Sequence, residues 1–153
     1  MKFLELKLPP VLIFAAFGVL MWLAGLVTPD AGIDGKIRLV LAIALLVIGG
    51  CLAMAGVFGL KKANTTFNPA SPDQASVLVC TGIYRYTRNP MYTGLLFGLF
   101  AWACYLGNPL SLLLVFAFSL YMTRFQIKPE ERILKSIFGK EYTLYKNRVR
   151  RWL

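Results

Sequence analysis

Residues 82–94 read Gly-Ile-Tyr-Arg-Tyr-Thr-Arg-Asn-Pro-Met-Tyr-Thr-Gly, a polar, aromatic and cationic stretch that runs directly into an apolar one. Its pattern predicts an anion site. Asn89 is a favourable helix N-cap and Pro90 suits the first helical position, so the backbone N–H groups of Met91, Tyr92 and Thr93 would point outward as donors for a phosphate or carboxylate. A second set of polar residues, Arg124, Gln126, Glu130 and Glu131, stands at the end of a later apolar run. The chain has no His, and Cys51, Cys80 and Cys104 are scattered. Neither a metal site nor a redox pair is expected from them. Any chemistry therefore falls to carboxylates, Tyr, Arg or the substrate itself.

These residues must be positioned by elements that live in lipid. Of 153 residues, 58% are apolar and only 16% charged, against roughly a quarter charged in an ordinary soluble domain. Residues 9–27, 37–60, 91–106 and 109–127 form four apolar runs long enough, or nearly so, for a hydrocarbon core of about 30 Å. None alternates with period two, so the spans are predicted as helices and the fold as all-α, polytopic, with about four transmembrane helices. Of 17 Lys and Arg, only Lys36 and Arg38 fall on the side of the turn that joins the first two runs, near Asp30 and Asp34. The other 15 lie at the opposite ends, which predicts that both termini, the 61–90 loop and the active site face the cytoplasm of a cell inner membrane. The net charge of +10 is accounted for by topology and anionic headgroups, and no nucleic-acid partner is expected. The run after Lys7 is longer than a secretory h-region and lacks a clean small-x-small site, so it reads as a retained first helix.

The sequence reads as a single integral membrane domain over 1–153, with two helices in 1–60 and the functional core in 61–153. Residues 28–35 form a turn with Asp34 as N-cap candidate. Gly49 and Ala53, with Cys51, Ala55 and Gly59, make small-residue stripes that let another helix approach. Residues 61–81 form a long polar loop leading into the 82–94 segment, a length that favours function. Residues 106–109 leave room only for a tight hairpin, which forces residues 89–92 and 124–131 together at one membrane face. Beyond Pro129, apolar Ile133, Leu134, Ile137, Phe138, Tyr142, Tyr145, Val149 and Trp152 recur at helical spacing. An amphipathic surface helix broken at Gly139 is predicted, able to close over the loop as a lid.

Three blocks in order, Gly82-x-Tyr84-x-x-x-Arg88-Asn89-Pro90-x-Tyr92-x-Gly94, then Arg124-Phe125-Gln126-Ile127-x-Pro129-Glu130-Glu131, then Phe138-Gly139-x-x-Tyr142-x-x-Tyr145-x-x-x-Val149, resemble the isoprenylcysteine carboxyl methyltransferase family. Phospholipid N-methyltransferases share part of the pattern. The resemblance covers roughly residues 64–151 and makes 61–153 a methyltransferase-like core. It implies S-adenosyl-L-methionine in a cytoplasmic pocket and a small lipophilic or lipidated acceptor entering from the bilayer. It places Ser76, Val77, Leu78, Val79, Tyr84, Asn89, Pro90, Met91, Tyr92 and Glu130 against the cofactor, and Arg124 and Gln126 toward the acceptor. Many members carry His where this chain has Asn89, which keeps a donor or acceptor and can still cap a helix.

Transfer of a methyl group from a sulfonium to an ionised carboxylate needs alignment and exclusion of water more than it needs a base. Tyr84 and Tyr92 offer aromatic faces to a sulfonium, Glu130 a carboxylate, and Arg124 a fork for an acceptor carboxylate or phosphate. If the acceptor is an amine, Glu130 or Glu131 must take its proton, so Arg124 and Glu131 are the candidate catalytic residues. Two other readings stay open: a phospholipid-headgroup N-methyltransferase, and a non-catalytic lipid-binding membrane protein.

Overall fold

The computed structural model describes residues 5–65 and 76–153. The middle of the predicted polar loop, and Lys2 among the counted cations, lie outside them. Four of the five α-helices begin on a proline in the first turn: α1 Pro10–Val27, α3 Pro90–Leu106, α4 Pro109–Met122 and α5 Lys128–Arg148. Proline suits this position because its missing N–H would be unpaired there anyway. The other, α2 Gly35–Lys62, is capped as predicted by Asp34, whose carboxylate accepts from the N–H groups of Lys36 and Ile37.

α3 packs against α2 on one side and against α1 and α4 on the other. The core between α1, α3 and α4 is built from Ile13, Met21, Leu99, Ala103, Val115, Phe118 and Met122. Apolar residues such as Val40, Leu46, Leu113 and Phe116 are more than half exposed, which in this all-α membrane protein is the surface offered to lipid. α1 and α2 are long and apolar enough to span, as is the continuous helix containing α4. α3 is the exception among the four expected spans: its 17 residues reach only about 26 Å.

The predicted small-residue contact is made between α2 and α3. A Cβ placed on Gly94 would stand 2.6 Å from the Gly49 carbonyl oxygen and 2.7 Å from the Ala53 Cβ, so the two backbones touch. Further along, Gly56 leaves room for Pro90 and Met91, and Gly59 for the ring of Tyr84. Gly56 was not part of the predicted stripe.

The predicted hairpin between α3 and α4 is also formed. Gly107 ends α3 in the left-handed region at φ +63°, and Asn108 caps α4 by accepting from Leu110 and Ser111 N–H. The α1–α2 turn docks on it: Ala31 N–H donates to the Gly107 carbonyl at 2.8 Å, Asn108 Nδ2 donates to Thr28 Oγ1, and Arg38 pairs with Asp30. This fixes the far ends of all four helices and thereby the spacing of their near ends.

At the near end α4 does not stop. It passes through a π-helical turn, Thr123–Ile127, into α5. Pro129 lacks the N–H that would reach back to residue 125, and the Phe125 carbonyl instead accepts from Leu6 N–H at 3.1 Å. α5 is amphipathic and is interrupted at Gly139 as predicted (φ 52°, ψ −116°). After α5 the chain folds back on the 82–94 segment, where Arg88 N–H donates to the Arg150 carbonyl at 3.0 Å.

Candidate active site

The start of α3 and the start of α5 meet at one hydrogen bond. The Tyr92 hydroxyl donates to Glu130 Oε1 at 2.8 Å, and Tyr92 is buried. Tyr84 completes the group from a 3-10 turn, Gly82–Arg85, with its ring against Gly59 and its hydroxyl donating to the Gly56 carbonyl at 3.3 Å. Tyr145 of α5 braces this turn by donating to the Tyr84 carbonyl at 2.8 Å. Two aromatic rings and a carboxylate gathered at a helix start are a donor set suited to a cation.

The paired glutamates have opposite electrostatics. Burial pushes the Glu130 carboxyl up to about 8; the Tyr92 bond acts against this and the neighbouring Glu131 charge adds to it. Burial also opposes ionisation of Glu131, but Arg151 and Arg88 outweigh it and hold that carboxyl below the ordinary value. Adjacent groups driven apart in this way commonly divide roles at a functional site.

Glu131 is occupied by cations. Arg151 contacts it bidentately, Nε to Oε1 and Nη2 to Oε2, both at 2.9 Å. Arg88 Nη2 is 2.9 Å from Oε1, and Lys146 Nζ is 3.9 Å from Oε2. The Arg88 side chain is only 7% exposed, yet its Nε and Nη1 are buried without a partner among the described residues. A buried guanidinium with two unspent nitrogens is rare in a finished core and has room for a further acceptor.

Asn89 departs from its predicted role. It occupies the N-cap position of α3, but its side chain makes no capping bond and donates instead to the Arg151 carbonyl at 2.9 Å. The Thr93 N–H and hydroxyl both donate to the Asn89 carbonyl at 2.9 Å. Of the three N–H groups predicted to be open, Thr93's is thus used, while those of Met91 and Tyr92 have no partner among the described residues. The physical reason is the C-terminal fold-back, which places a carbonyl where Asn89 can reach it.

The remaining candidates lie elsewhere. Ser76 and Val77 bind the end of α2: their N–H groups donate to Thr65 Oγ1 at 3.1 and 3.5 Å, and Ser76 Oγ donates to the Asn64 carbonyl at 3.3 Å. Leu78 and Val79 follow, half-buried. Gln126 is buried and donates to the Leu8 carbonyl at 2.7 Å. Arg124 is half exposed and pairs with Glu5 at 3.2 Å. The structure therefore joins Tyr84, Pro90, Met91, Tyr92 and Glu130, sets Glu131 in a separate ion-pair network beside them, and gives Arg124 and Gln126 partners in the N-terminal segment. Sequence reasoning missed Arg88, read as a topology charge, together with Arg151, Tyr145 and buried Thr87, whose hydroxyl oxygen accepts from Asn89 N–H at 3.2 Å. The one available signal was that Arg151 stands two residues past the third motif block, at the end of the 64–151 resemblance.

A family model described as phospholipid methyltransferase matches residues 37–141. The chain is 52% identical over 63 residues to an uncharacterized protein of Haemophilus influenzae, covering 41% of this chain and all of that one. It is 28% identical over 110 residues to protein-S-isoprenylcysteine O-methyltransferase B of Arabidopsis thaliana, covering 70% of this chain and 54% of that protein. It is 31% identical over 116 residues to protein-S-isoprenylcysteine O-methyltransferase of Homo sapiens, covering 72% and 39%. The chain thus spans about half or less of the length of these two named relatives. No solved structure matches.

Proposed function

Because the chain belongs to the phospholipid methyltransferase family and aligns with isoprenylcysteine O-methyltransferases over most of its length, we propose that it is a membrane methyltransferase using S-adenosyl-L-methionine to methylate the carboxylate of a lipophilic or lipidated acceptor. The observation that carries this reading is the Tyr92–Glu130 bond beside Tyr84, with the partnerless nitrogens of Arg88 close in sequence to the same helix start.

The donor set suits this cofactor at its sulfonium and at its carboxylate. Glu130 with the faces of Tyr84 and Tyr92 would hold the sulfonium, while Arg88 and the open N–H groups of Met91 and Tyr92 would take the carboxylate. Ser76, Val77, Leu78, Val79, Asn89 and Pro90 would line the rest. When bound, the cofactor supplies a methyl group activated by positively charged sulfur. An ionised acceptor carboxylate needs no proton removed, so the chain's own task is to orient the acceptor through Arg124, with buried Gln126 holding the adjoining N-terminal segment through the Leu8 carbonyl, and to keep water out. The charge asymmetry of 15 against two supports a cytoplasmic site.

A second reading, N-methylation of a phospholipid headgroup, is favoured by the family description and by a Glu130 carboxyl near neutrality, able to exchange the proton an amine acceptor must lose. One experiment tests both. Methyl-labelled cofactor is incubated with purified protein and a total membrane extract, and the product is treated with mild base. Label that enters a lipophilic product and is released by base as volatile methanol marks a methyl ester; label that remains on a non-volatile amine after base marks N-methylation; no transfer to any component contradicts the enzymatic reading.

A pH dependence follows from Glu130. With its carboxyl at about 8, Glu130 carries a proton at neutral pH, and a cationic ligand must expel it. Cofactor affinity is expected to rise up to about tenfold per pH unit between roughly pH 6 and 8 and to level off above. Calorimetric titrations across pH 6–9 measure this directly, and a flat profile would remove Glu130 from the cation site. The same shift makes the unliganded protein lose stability as pH rises from 4.5 toward 8, since the folded state holds a proton that the unfolded chain has released.

A further inference from the structure

We propose that Arg124 and Arg132 form an oxyanion fork for the phosphate of an anionic lipid headgroup, and that Glu5 is its internal occupant, displaced when lipid binds. The acceptor-side role of Arg124 given above is sharpened by this proposal, and the consequence for acceptor selection rests on that reading.

The two arginines stand eight positions apart across the π turn yet converge on one carboxylate. Arg124 Nη1 meets Glu5 Oε1 at 3.2 Å, and Arg132 Nη2 meets Glu5 Oε2. Two guanidinium groups set on two oxygens of one group match a carboxylate or a phosphate equally well. Their exposure is unequal to that of their occupant: 49% and 57% for the arginine side chains against 12% for Glu5. The fork is thus open to outside anions while its present ligand comes from within.

Its depth argues for a lipid. Arg124 follows the end of the α4 span and lies over the Phe125 ring at 5.5 Å, and Phe125 packs on Tyr121 with ring centroids 4.8 Å apart. Aromatic rings with a cation at a span end are the signature of the headgroup layer.

The strap that delivers Glu5 is fastened but strained. Leu6 N–H is held by the Phe125 carbonyl and the Leu8 carbonyl by Gln126, while Leu6 itself sits at φ +57°, a left-handed conformation unfavourable for a leucine. Exposed ion pairs of this kind are weak individually, so Glu5 can yield the fork to a phosphate by a change of rotamer.

The test is calorimetric titration of the detergent-solubilised full chain with dihexanoyl phosphatidic acid. Removing an internal competitor raises apparent affinity by the inverse of the fraction of forks left free, so Glu5→Gln is expected to tighten binding about three- to tenfold. Arg124→Gln combined with Arg132→Gln should weaken it at least about tenfold. Unchanged or weaker binding by Glu5→Gln overturns the proposal, as does equal affinity for uncharged dihexanoylglycerol. Inorganic phosphate that binds as tightly as the lipid would assign the fork to a soluble anion and overturn its lipid source. None of these arms needs turnover: a fork that binds lipid in a protein without methyl transfer defeats only the enzymatic reading, and active protein with lipid affinity indifferent to Glu5 defeats only the fork.

Discussion

Glu131→Gln is expected to destabilise the protein by about 3–5 kcal/mol, although the substitution keeps the shape of the side chain and one of its two acceptor oxygens. The loss comes from charge. Glu131 is the shared counter-ion of Arg88, Arg151 and Lys146, and the Arg88 side chain is only 7% exposed. Without the carboxylate, a buried guanidinium is left uncompensated and the anchor for the C-terminal fold-back is lost. The melting temperature in detergent, followed by tryptophan fluorescence, should fall by about 6–20 °C for a chain of this size. Adding Arg88→Met to Glu131→Gln should recover part of the loss, because it removes the stranded charge. A single variant that melts with the wild type would show that the network contributes little. The wild type itself should show the corresponding pH sign: stability supplied by the depressed Glu131 carboxyl is present above pH 4.5 and lost as pH falls below it.

Gly94→Leu is the second large effect. Overpacking a filled site typically costs about 1–3 kcal/mol, and here the neighbours are a backbone carbonyl at 2.6 Å and the Ala53 Cβ at 2.7 Å, which cannot step aside without moving α2. Since α2 also supplies the Gly56 carbonyl to Tyr84 and the hollow at Gly59 for its ring, moving it disturbs the cluster around Tyr84 as well as the fold. Size-exclusion profiles in detergent should show loss of the monodisperse folded species. Gly50→Leu is the control, because a Cβ at Gly50 meets nothing within 4 Å. If both variants behave alike, the close helix contact is not what holds α2 in place.

The helices were legible because the signals for them are local: four apolar runs, Pro90 in a first turn, Asp34 as a cap and Gly139 as a break. The convergence of Tyr92 with Glu130 was legible for a different reason. A connection as short as residues 106–109 leaves α3 and α4 only an antiparallel arrangement, so their near ends must meet. What stayed hidden depends on the last residues of the chain. Nothing local distinguishes Arg88 from a headgroup-facing cation such as Arg85; it is buried only because residues 149–151 return across some sixty positions and bring Arg151 with them. The same return diverts Asn89 from capping α3. Arg124 shows the parallel effect at the other terminus, where Glu5 is distant in sequence and meets it only because the π turn frees a carbonyl for Leu6.

The central claim is that the Tyr84–Tyr92–Glu130 cluster holds a sulfonium methyl donor. Calorimetric titration of S-adenosyl-L-methionine into the detergent-solubilised protein and its Glu130→Gln variant at pH 8 tests it most directly. A saturable isotherm for the wild type, with affinity reduced at least about tenfold in the variant, is the predicted result. An absence of saturable heat in the wild type, or superimposable isotherms for the two proteins, would contradict it.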